Sequence, residues 1–486
     1  MHPQMTNIQA SAQDAFEHIF ASAGALVFVN EYSGSAAPPA PYNAFAEHKL
    51  ACPLAQRYHT LGRSHMQPEA PEAFAAFVGL DWADAKHDVC LQAAGSAQRE
   101  HRSLDHTPEA IDAWVCSLQK RCEGQPIAIG LELNKGPIVF ALRTYHVLVL
   151  FPVNPLTLAR YREAFTPSRA KDDPTDAALQ LALLRTHRDK LPPLTPQSPT
   201  LRALAQLVEH RRRVVGDTVR ITHRLTSTLK NYFPQALQWF QDKDPVIFCD
   251  VLSRWPTLKA AQLARRSPLE TFFREHHVRS ADVIAQRINA IKAAIPLTTD
   301  ESIITPNVLL VQALVSQLRA TLQAIQDFDN AIAQHAQRHP DFPLFQTLPG
   351  AGPVFAPRLL VAFGAQRERS ASAAELQRCA GIAPVTERSG KKCWVHWRFQ
   401  CPTFLRHTCV EWAAESIRHS FWARVYSQQQ RDAGKAHQAA VRALAFTWIR
   451  LLFRCGQDRT PYDESVYLHA LNRRGSSLIH NLAKES

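Results

Sequence analysis

Two apolar runs in this chain each end in a carboxylate: Phe-Val-Gly-Leu-Asp at 77–81 and Ile-Ala-Ile-Gly-Leu-Glu at 127–132. Short apolar runs of this kind read as buried strands, which puts Asp81 and Glu132 at strand ends. A third segment, Lys-Asp-Asp-Pro-Thr-Asp-Ala at 171–177, opens a helical pattern. Its Asp173 and Asp176 stand three apart and share a helix face. Two strand-end carboxylates and a helical pair can converge on one pocket of carboxylate oxygens, a donor set that suits Mg²⁺. In such a pocket the ion clamps the attacking and leaving oxygens of a phosphodiester. The pattern therefore points toward cutting or joining nucleic acid. Each acid also has an ordinary reading as a solvated carboxylate, and Asp173, beside Pro174, as a helix cap. Asp84 and Asp88, just after the first run, read as surface residues.

Bulk properties agree with a polyanionic partner. The chain has 486 residues and a formal charge of +12, with a pI of about 9.3. A basic surface attracts polyphosphate and releases its counterions, although a generic basic protein would look the same. No uninterrupted apolar run reaches the ~18 residues of a membrane span, so no membrane partner is expected. The ten cysteines include no Cys-x-x-Cys pair, which argues against zinc knuckles and a redox dithiol. Scattered free cysteines fit a reducing, cytoplasmic setting.

Composition divides the chain. Residues 1–70 carry Ser-Gly-Ser-Ala-Ala-Pro-Pro-Ala-Pro at 33–41, a linker signal. They read as a poorly ordered or mis-annotated extension, with Met66 as an alternative start. Residues 74–190 read as an α/β domain. Strands are expected at Phe74–Ala83, His87–Gln92, Pro126–Leu133 and Tyr145–Val153. Helices are expected within Leu104–Cys122, beginning after the N-cap and N1 pair Thr107-Pro108, from Pro155, and from Pro174 to Thr186. Strands first, then alternating helix and strand, match a ribonuclease H-like layout.

A proline-rich linker, Leu191–Pro199, leads to a helical region over 200–340. A long basic helix is expected from Leu201 to about Tyr232, with Arg211, Arg212, Arg213, Arg220, Arg224 and Lys230 against Glu209 and Asp217. It is either a solvated bundle helix or a strut along nucleic acid. A smaller helical insertion fills 235–305. In a second long helix, Val308–Gln334, two apolar series repeat every seven residues: Val308, Val315 and Leu322, and Val311, Leu318, Ile325 and Ile332. Asp329 breaks the first series. This is a coiled-coil seam, free to pair with the basic helix within one chain or between two.

The C-terminal segment, 341–470 with a tail at 471–486, carries two further motifs. Leu-Pro-Gly-Ala-Gly-Pro at 348–353 precedes an apolar helix. Gly350 and Gly352 allow backbone N–H groups to approach a phosphate, as in a helix–hairpin–helix, or make a tight interhelix turn. Gly-Ile-Ala-Pro at 381–384 leads to Glu-Arg-Ser-Gly-Lys-Lys at 387–392. There Ser389 is flanked by Arg388, Lys391 and Lys392, with Arg398 close behind. Cations around a hydroxyl steady a phosphate and the charge on an attacking oxygen; a solvated basic loop is the ordinary alternative.

Together these segments resemble the insertion-sequence-110 family of transposases, the DEDD-type recombinases that include Piv-like invertases. The motifs fall in the family's order: Gly-Leu-Asp at 79–81, Glu132, Lys-x-Asp-x-x-Asp-Ala at 171–177, then 348–353, 381–384 and Arg-Ser-Gly at 388–390. Phe404-Leu-Arg406, Tyr426 and Gly434-Lys435 also fall where the family has similar residues, so the resemblance spans roughly 74–470.

The resemblance implies a RuvC-like, ribonuclease H-fold domain holding Mg²⁺ through Asp81, Glu132, Asp173 and Asp176. It implies long coiled-coil helices and a mainly helical transposase domain whose nucleophile is Ser389. Gly350, Gly352, Arg388, Lys391, Lys392 and Arg398 are the expected nucleic-acid contacts. It also implies donor and target DNA, a structured noncoding guide RNA, and a dimer or tetramer in which acids and serine come from different protomers. Asp172 stands where the family commonly has a small hydroxylated residue and is left out of the ligand set.

The residues alone leave other functions open. Four carboxylates without a serine would suit metal-activated water, and so a RuvC-like nuclease or Holliday-junction resolvase. A Piv-like DNA invertase and a noncatalytic nucleic-acid binder are the other readings. A serine hydroxyl is a poor nucleophile at neutral pH and needs activation; its presence beside the acids favours recombination over hydrolysis.

Overall fold

The computed structural model describes residues 73–165, 173–195, 197–239, 245–364, 370–476 and 478–479. The N-terminal extension and Asp172 lie outside the described residues. The chain divides near residue 196 into two compact units.

The first unit is built on a five-stranded sheet: β1 (Ala76–Asp81), β2 (Lys86–Ala93), β3 (Glu100–Asp105), β4 (Ile127–Leu131) and β5 (Leu148–Pro152), in the order β3-β2-β1-β4-β5. β1, β2 and β3 are antiparallel neighbours, and β4 and β5 continue parallel to β1. A mixed sheet in this order is compatible with a ribonuclease H-like domain. Side-chain alternation sorts the sheet into two faces. Val78, Leu80, Val89, Leu91, Ile129 and Leu131 pack against α1 (Pro108–Arg121) and α2 (Pro137–Leu142). The opposite face meets α4 (Asp173–His187), which follows α3 (Pro155–Phe165).

The helix expected after Thr107-Pro108 is present, but the strand before it was not expected. Glu-His-Arg-Ser-Leu-Asp at 100–105 forms strand β3, and the helix starts at Pro108 behind the Thr107 cap. β3 is an edge strand with Leu104 as its one buried side chain, so it lacks the apolar run that marks the inner strands. The other expected strands and helices of this unit are present.

The second unit is helical apart from one hairpin among the described residues. α5 (Pro199–Leu229) and α11 (Glu301–Gln337) pair within the chain. Arg211 meets Asp329 at one end and Asn231 meets Asn307 at the other, so the pair is antiparallel. The heptad series is the seam: Val311, Val315, Leu318 and Ile332 are buried. Asp329, which interrupts the series, is held by Arg211, an ion pair that fixes register where an apolar residue would not.

α11 reaches the length and hydropathy of a membrane span, counting exposed Ile303, Leu309 and Leu310 as well as its buried seam. Five helices between the long pair, α6 (Gln235–Trp239), α7 (Pro245–Arg254), α8 (Leu258–Leu263), α9 (Arg266–Glu275) and α10 (Ala281–Ala293), supply the core of the expected insertion. The opposite end of the pair enters a second core. There Leu201, Leu204, Val208 and Ile332 meet the C-terminal helices.

Those helices are α12 (Phe342–Gln346), α13 (Gly352–Phe363), α14 (Ala373–Cys379), α15 (Thr403–His419), α16 (Phe421–Asp432), α17 (His437–Asp458) and α18 (Glu464–Arg473). Trp412, Trp422 and Trp448 are fully buried at their centre. Each indole N–H has an acceptor: the Pro349 carbonyl at 2.9 Å, the Tyr462 hydroxyl at 2.8 Å and the Ser416 hydroxyl at 2.8 Å. Burying a tryptophan is favourable when its polar edge is satisfied, so the three rings form a rigid centre.

Candidate functional site

The carboxylates of the first unit are positioned by two glycines. Gly79 and Gly130 are register partners on the adjacent parallel strands β1 and β4. A Cβ built at Gly79 would lie 1.9 Å from the Ala177 carbonyl oxygen and 2.6 Å from Leu181 N, and one at Gly130 would lie 3.4 Å from the Gln180 carbonyl oxygen. At Gly79 only glycine lets the α4 backbone lie this close to the sheet, whereas at Gly130 an added Cβ would make ordinary contact. Asp81 is two residues beyond Gly79, so alternation carries it to the α4 face; Glu132 is two beyond Gly130, one residue past β4. The register pair Leu80 and Leu131 sets the two acids side by side. Both are half-buried.

Asp176 lies in the first turn of α4 and is 2% exposed. Arg162 of α3 holds it: Nε and Nη2 stand 2.8 and 2.5 Å from the same oxygen, Oδ1. Asp173 is the first residue of α4 and is exposed. The structure thus brings Asp81 and Glu132 to one sheet face and Asp176 to the helix over that face. Among the described residues, no three His, Cys, Asp or Glu side chains gather closely enough to hold a metal ion. The donor chemistry nevertheless fits a hard divalent cation, since the set is all carboxylate. Asp176 in addition already takes a positive charge, the Arg162 guanidinium.

Sequence reasoning missed three residues here. Arg162 is fourteen residues from its partner, and nothing in its local context marks it. Gln180 is wholly buried. With its nitrogen turned to the strands it donates to Leu80 O at 2.7 Å and Gly130 O at 3.0 Å; turned the other way, that nitrogen faces Asp81 Oδ1 at 3.5 Å. The first orientation makes two bonds of ordinary length, so Gln180 pins α4 to the sheet beside Asp81. Asp88, read from sequence as a surface residue, is the direct register partner of Asp81 on β2 and is half-buried.

Ser389 lies in the second unit, and the loop reading of its surroundings needs correction. Val385–Ser389 (β6) and Lys392–His396 (β7) form an antiparallel hairpin, with Ser389 paired to Lys392 across a two-residue turn, Gly390-Lys391. Gly390 takes φ +56°, as such tight turns require. Ser389, Arg388, Lys391 and Lys392 are all exposed at the tip. The hairpin also presents Trp394, Val395 and nearby Phe399 to solvent, at 44%, 67% and 78% exposure. A lone two-stranded hairpin is marginal in water; an exposed aromatic and basic tip suits a partner that covers it.

The base of the hairpin is anchored. Arg398 donates through Nε to the Ala383 carbonyl at 3.3 Å, so part of this predicted nucleic-acid contact is spent on the protein. Arg406 bonds the carbonyls of Arg398 and Phe399. Trp397 lies between the guanidinium groups of Arg406 and Arg442, 5.0 and 4.3 Å from its ring centre. The Gly-Ile-Ala-Pro motif belongs to the same anchor: a Cβ on Gly381 would meet Cys401 Sγ at 2.4 Å.

Of the two glycines in 348–353, Gly350 (φ +69°) faces α15, where an added Cβ would lie 3.0 Å from His419 Cδ2. Gly352 (φ +47°) faces open space at the start of α13 and is the one whose surroundings leave room for a phosphate.

Comparison with known proteins follows the same division. A family model described as a transposase, of the DEDD type found in IS110, matches residues 78–234, and the model for the transposase IS116/IS110/IS902 family matches residues 343–428. The "Mini-circle putative transposase for IS117" of Streptomyces coelicolor is 30% identical, over 81% of this chain and 96% of the relative. The IS900 uncharacterized 42 kDa protein of Mycobacterium paratuberculosis is 27% identical over 79% of this chain and 96% of its own length. The IS116 uncharacterized 44.8 kDa protein of Streptomyces clavuligerus is 26% identical, with 79% and 95% covered.

Proposed function

Because the chain belongs to the IS110 family of insertion-element transposases, which cut and rejoin DNA, we propose that Ser389 is its nucleophile and Asp81, Glu132, Asp173 and Asp176 its Mg²⁺-binding acids. DEDD-type domains typically work with divalent metal ions; the choice of Mg²⁺ rests on the all-carboxylate donor set. The observation that carries the reading is the placement of Ser389 at an exposed hairpin tip among Arg388, Lys391 and Lys392. A structural serine has no need of that position.

The step is a transesterification. The Ser389 Oγ–phosphorus bond forms as the bond from phosphorus to a sugar oxygen breaks. Ser389 gives up its proton and the departing sugar oxygen gains one, so the number of phosphoester bonds is unchanged and the phosphoserine link can be reversed onto a second DNA end. Arg388, Lys391 and Lys392 balance the phosphate charge and hold the backbone at the tip. Asp81, Glu132, Asp173 and Asp176 would hold the metal, which supplies Lewis-acid stabilisation of the phosphoryl oxygens. Gln180 and the Gly79–Gly130 pair keep Asp81 and Glu132 on the α4 face.

The proposed partners are donor and target DNA, a structured noncoding guide RNA, and further copies of the chain. The acids and the serine belong to different compact units, which is compatible with a site shared between protomers. A RuvC-like nuclease or resolvase would use the acids without the serine. Incubating wild type and Ser389→Ala with labelled DNA and guide RNA separates the two: a denaturation-resistant adduct in wild type alone supports transesterification. Equal cutting by both proteins without an adduct supports hydrolysis.

A further inference from the structure

We propose that Arg162 is the counter-cation of Asp176 in the metal-free protein and is displaced from that carboxylate when a divalent cation enters, so that α3 carries a built-in competitor for the metal. The proposal rests on the reading of Asp176 as a metal ligand.

Three observations carry it. Asp176 is 2% exposed in its side chain and Arg162 15%. A carboxylate withdrawn this far from water needs a cation nearby, because breaking a buried pair leaves an uncompensated charge. Second, Nε and Nη2 of Arg162 converge on one oxygen, Oδ1. The side-by-side fork that spans both carboxylate oxygens, the geometry of the strongest arginine pairs, is not what holds them. Third, Arg162 and Asp176 sit on separate helices, α3 and α4. The guanidinium can therefore withdraw without disturbing the α4 backbone, which is locked to the sheet at Gly79.

A metal ion that binds through Oδ1 competes for that oxygen with the two Arg162 nitrogens already beside it. Loading then exchanges one cation for another at Asp176, and the freed Arg162 becomes available to a phosphate, the ligand its planar fork suits. The device keeps the buried carboxylate compensated when metal is absent and makes metal affinity depend on how readily Arg162 leaves. Arg162 is thus a positioning residue for the metal site.

The test uses the full chain with Mn²⁺ as a spectroscopic probe in place of Mg²⁺. Free Mn²⁺ is titrated by electron paramagnetic resonance against wild type, Arg162→Gln and Asp176→Asn, and melting temperature is measured in chelator and in Mn²⁺. Arg162→Gln is expected to bind Mn²⁺ at least tenfold more tightly than wild type. It should melt lower in chelator and gain more from Mn²⁺ than wild type gains; Asp176→Asn should bind weakly. Unchanged or weaker Mn²⁺ binding by a folded Arg162→Gln would overturn the proposal and leave Arg162 as a support. Where Arg162→Gln does not fold, Arg162→Lys decides: it keeps the charge as a single point, and tighter Mn²⁺ binding than wild type is expected, with equal or weaker binding counting against. Absence of Mn²⁺ binding in wild type, with no change in melting, is a different failure. It removes the metal site itself.

Discussion

Gly79 of β1 lies directly beneath Ala177 of α4, so close that a Cβ on the glycine would stand 1.9 Å from the alanine carbonyl oxygen. The contact is backbone against backbone, and no rotamer change can relieve it. Since Asp81 is two residues beyond Gly79 and Asp176 one before Ala177, this single approach sets the distance between the sheet acids and the helix acids. Gly79→Ala should push α4 off the sheet and cost about 3 kcal/mol, the upper range for overpacking a rigid contact. Urea unfolding monitored by circular dichroism measures it. A midpoint equal to wild type would show that the helix shifts at no cost and that the glycine does not set the site.

The four acids should be needed individually. Asp81→Asn, Glu132→Gln, Asp173→Asn and Asp176→Asn are each expected to slow DNA cleavage on the order of 10²–10³-fold, the scale for losing one group that stabilises transition-state charge. Chelator should abolish cleavage by wild type, and Mg²⁺ should restore it. Cleavage at the wild-type rate in excess chelator would remove the metal from the account.

The stability of the first unit should fall with acid in a defined window. His87 is wholly buried on β2, with Nε2 2.9 Å from His106 Nδ1. Burial first, and His106 second, hold its pKa below the ordinary value of 6.5, only partly offset by a backbone contact to Ala83. The unfolded chain therefore takes up this proton at a higher pH than the folded one. Stability is unaffected well above pH 6.5, declines as pH falls below it, and levels off once the folded histidine is also protonated. Melting at pH 5.5 should lie below melting at pH 7.5, and His87→Gln should narrow the gap. His407, lowered by burial and by Arg212 in the second unit, leaves a residual slope. A gap unchanged in His87→Gln would assign the acid sensitivity elsewhere.

Acids and serine should complement between chains. Ser389→Ala and Asp81→Asn are each expected to be inactive, and a mixture that exchanges subunits should regain part of the cleavage. Co-purification through two different tags establishes exchange. Exchange without recovered cleavage would mean that each chain builds its whole site alone.

Much of the first unit is written in its apolar runs. β1, β4 and β5 are strands because Val78, Leu80, Ile127, Ile129, Leu131, Leu148 and Leu150 bury one face, and such alternation is visible without coordinates. β3 was not visible, because an edge strand with Leu104 as its one buried side chain carries no apolar run. The β6–β7 hairpin hid for the same reason: of its ten residues, only Val385 is even partly buried. The acids at 81 and 132 could be read as strand ends, but Asp88 could not be placed, since only the β1–β2 register sets it opposite Asp81. Pairing of the long helices within one chain is likewise absent from the heptads. The apolar seam is common to both pairings, and the Arg211–Asp329 contact that marks the one observed joins residues 118 positions apart.

Covalent attachment of DNA to Ser389 can be read directly. Cleavage reactions stopped in denaturant, treated with nuclease and digested after glutamate should yield the fragment 388–411, bounded by Glu387 and Glu411. Tandem mass spectrometry of that fragment reads the attachment point directly. A nucleotide phosphate on Ser389, absent from reactions with chelator, is the expected result. A nucleotide on any other residue, or complete cutting with fragment 388–411 wholly unmodified, would contradict it.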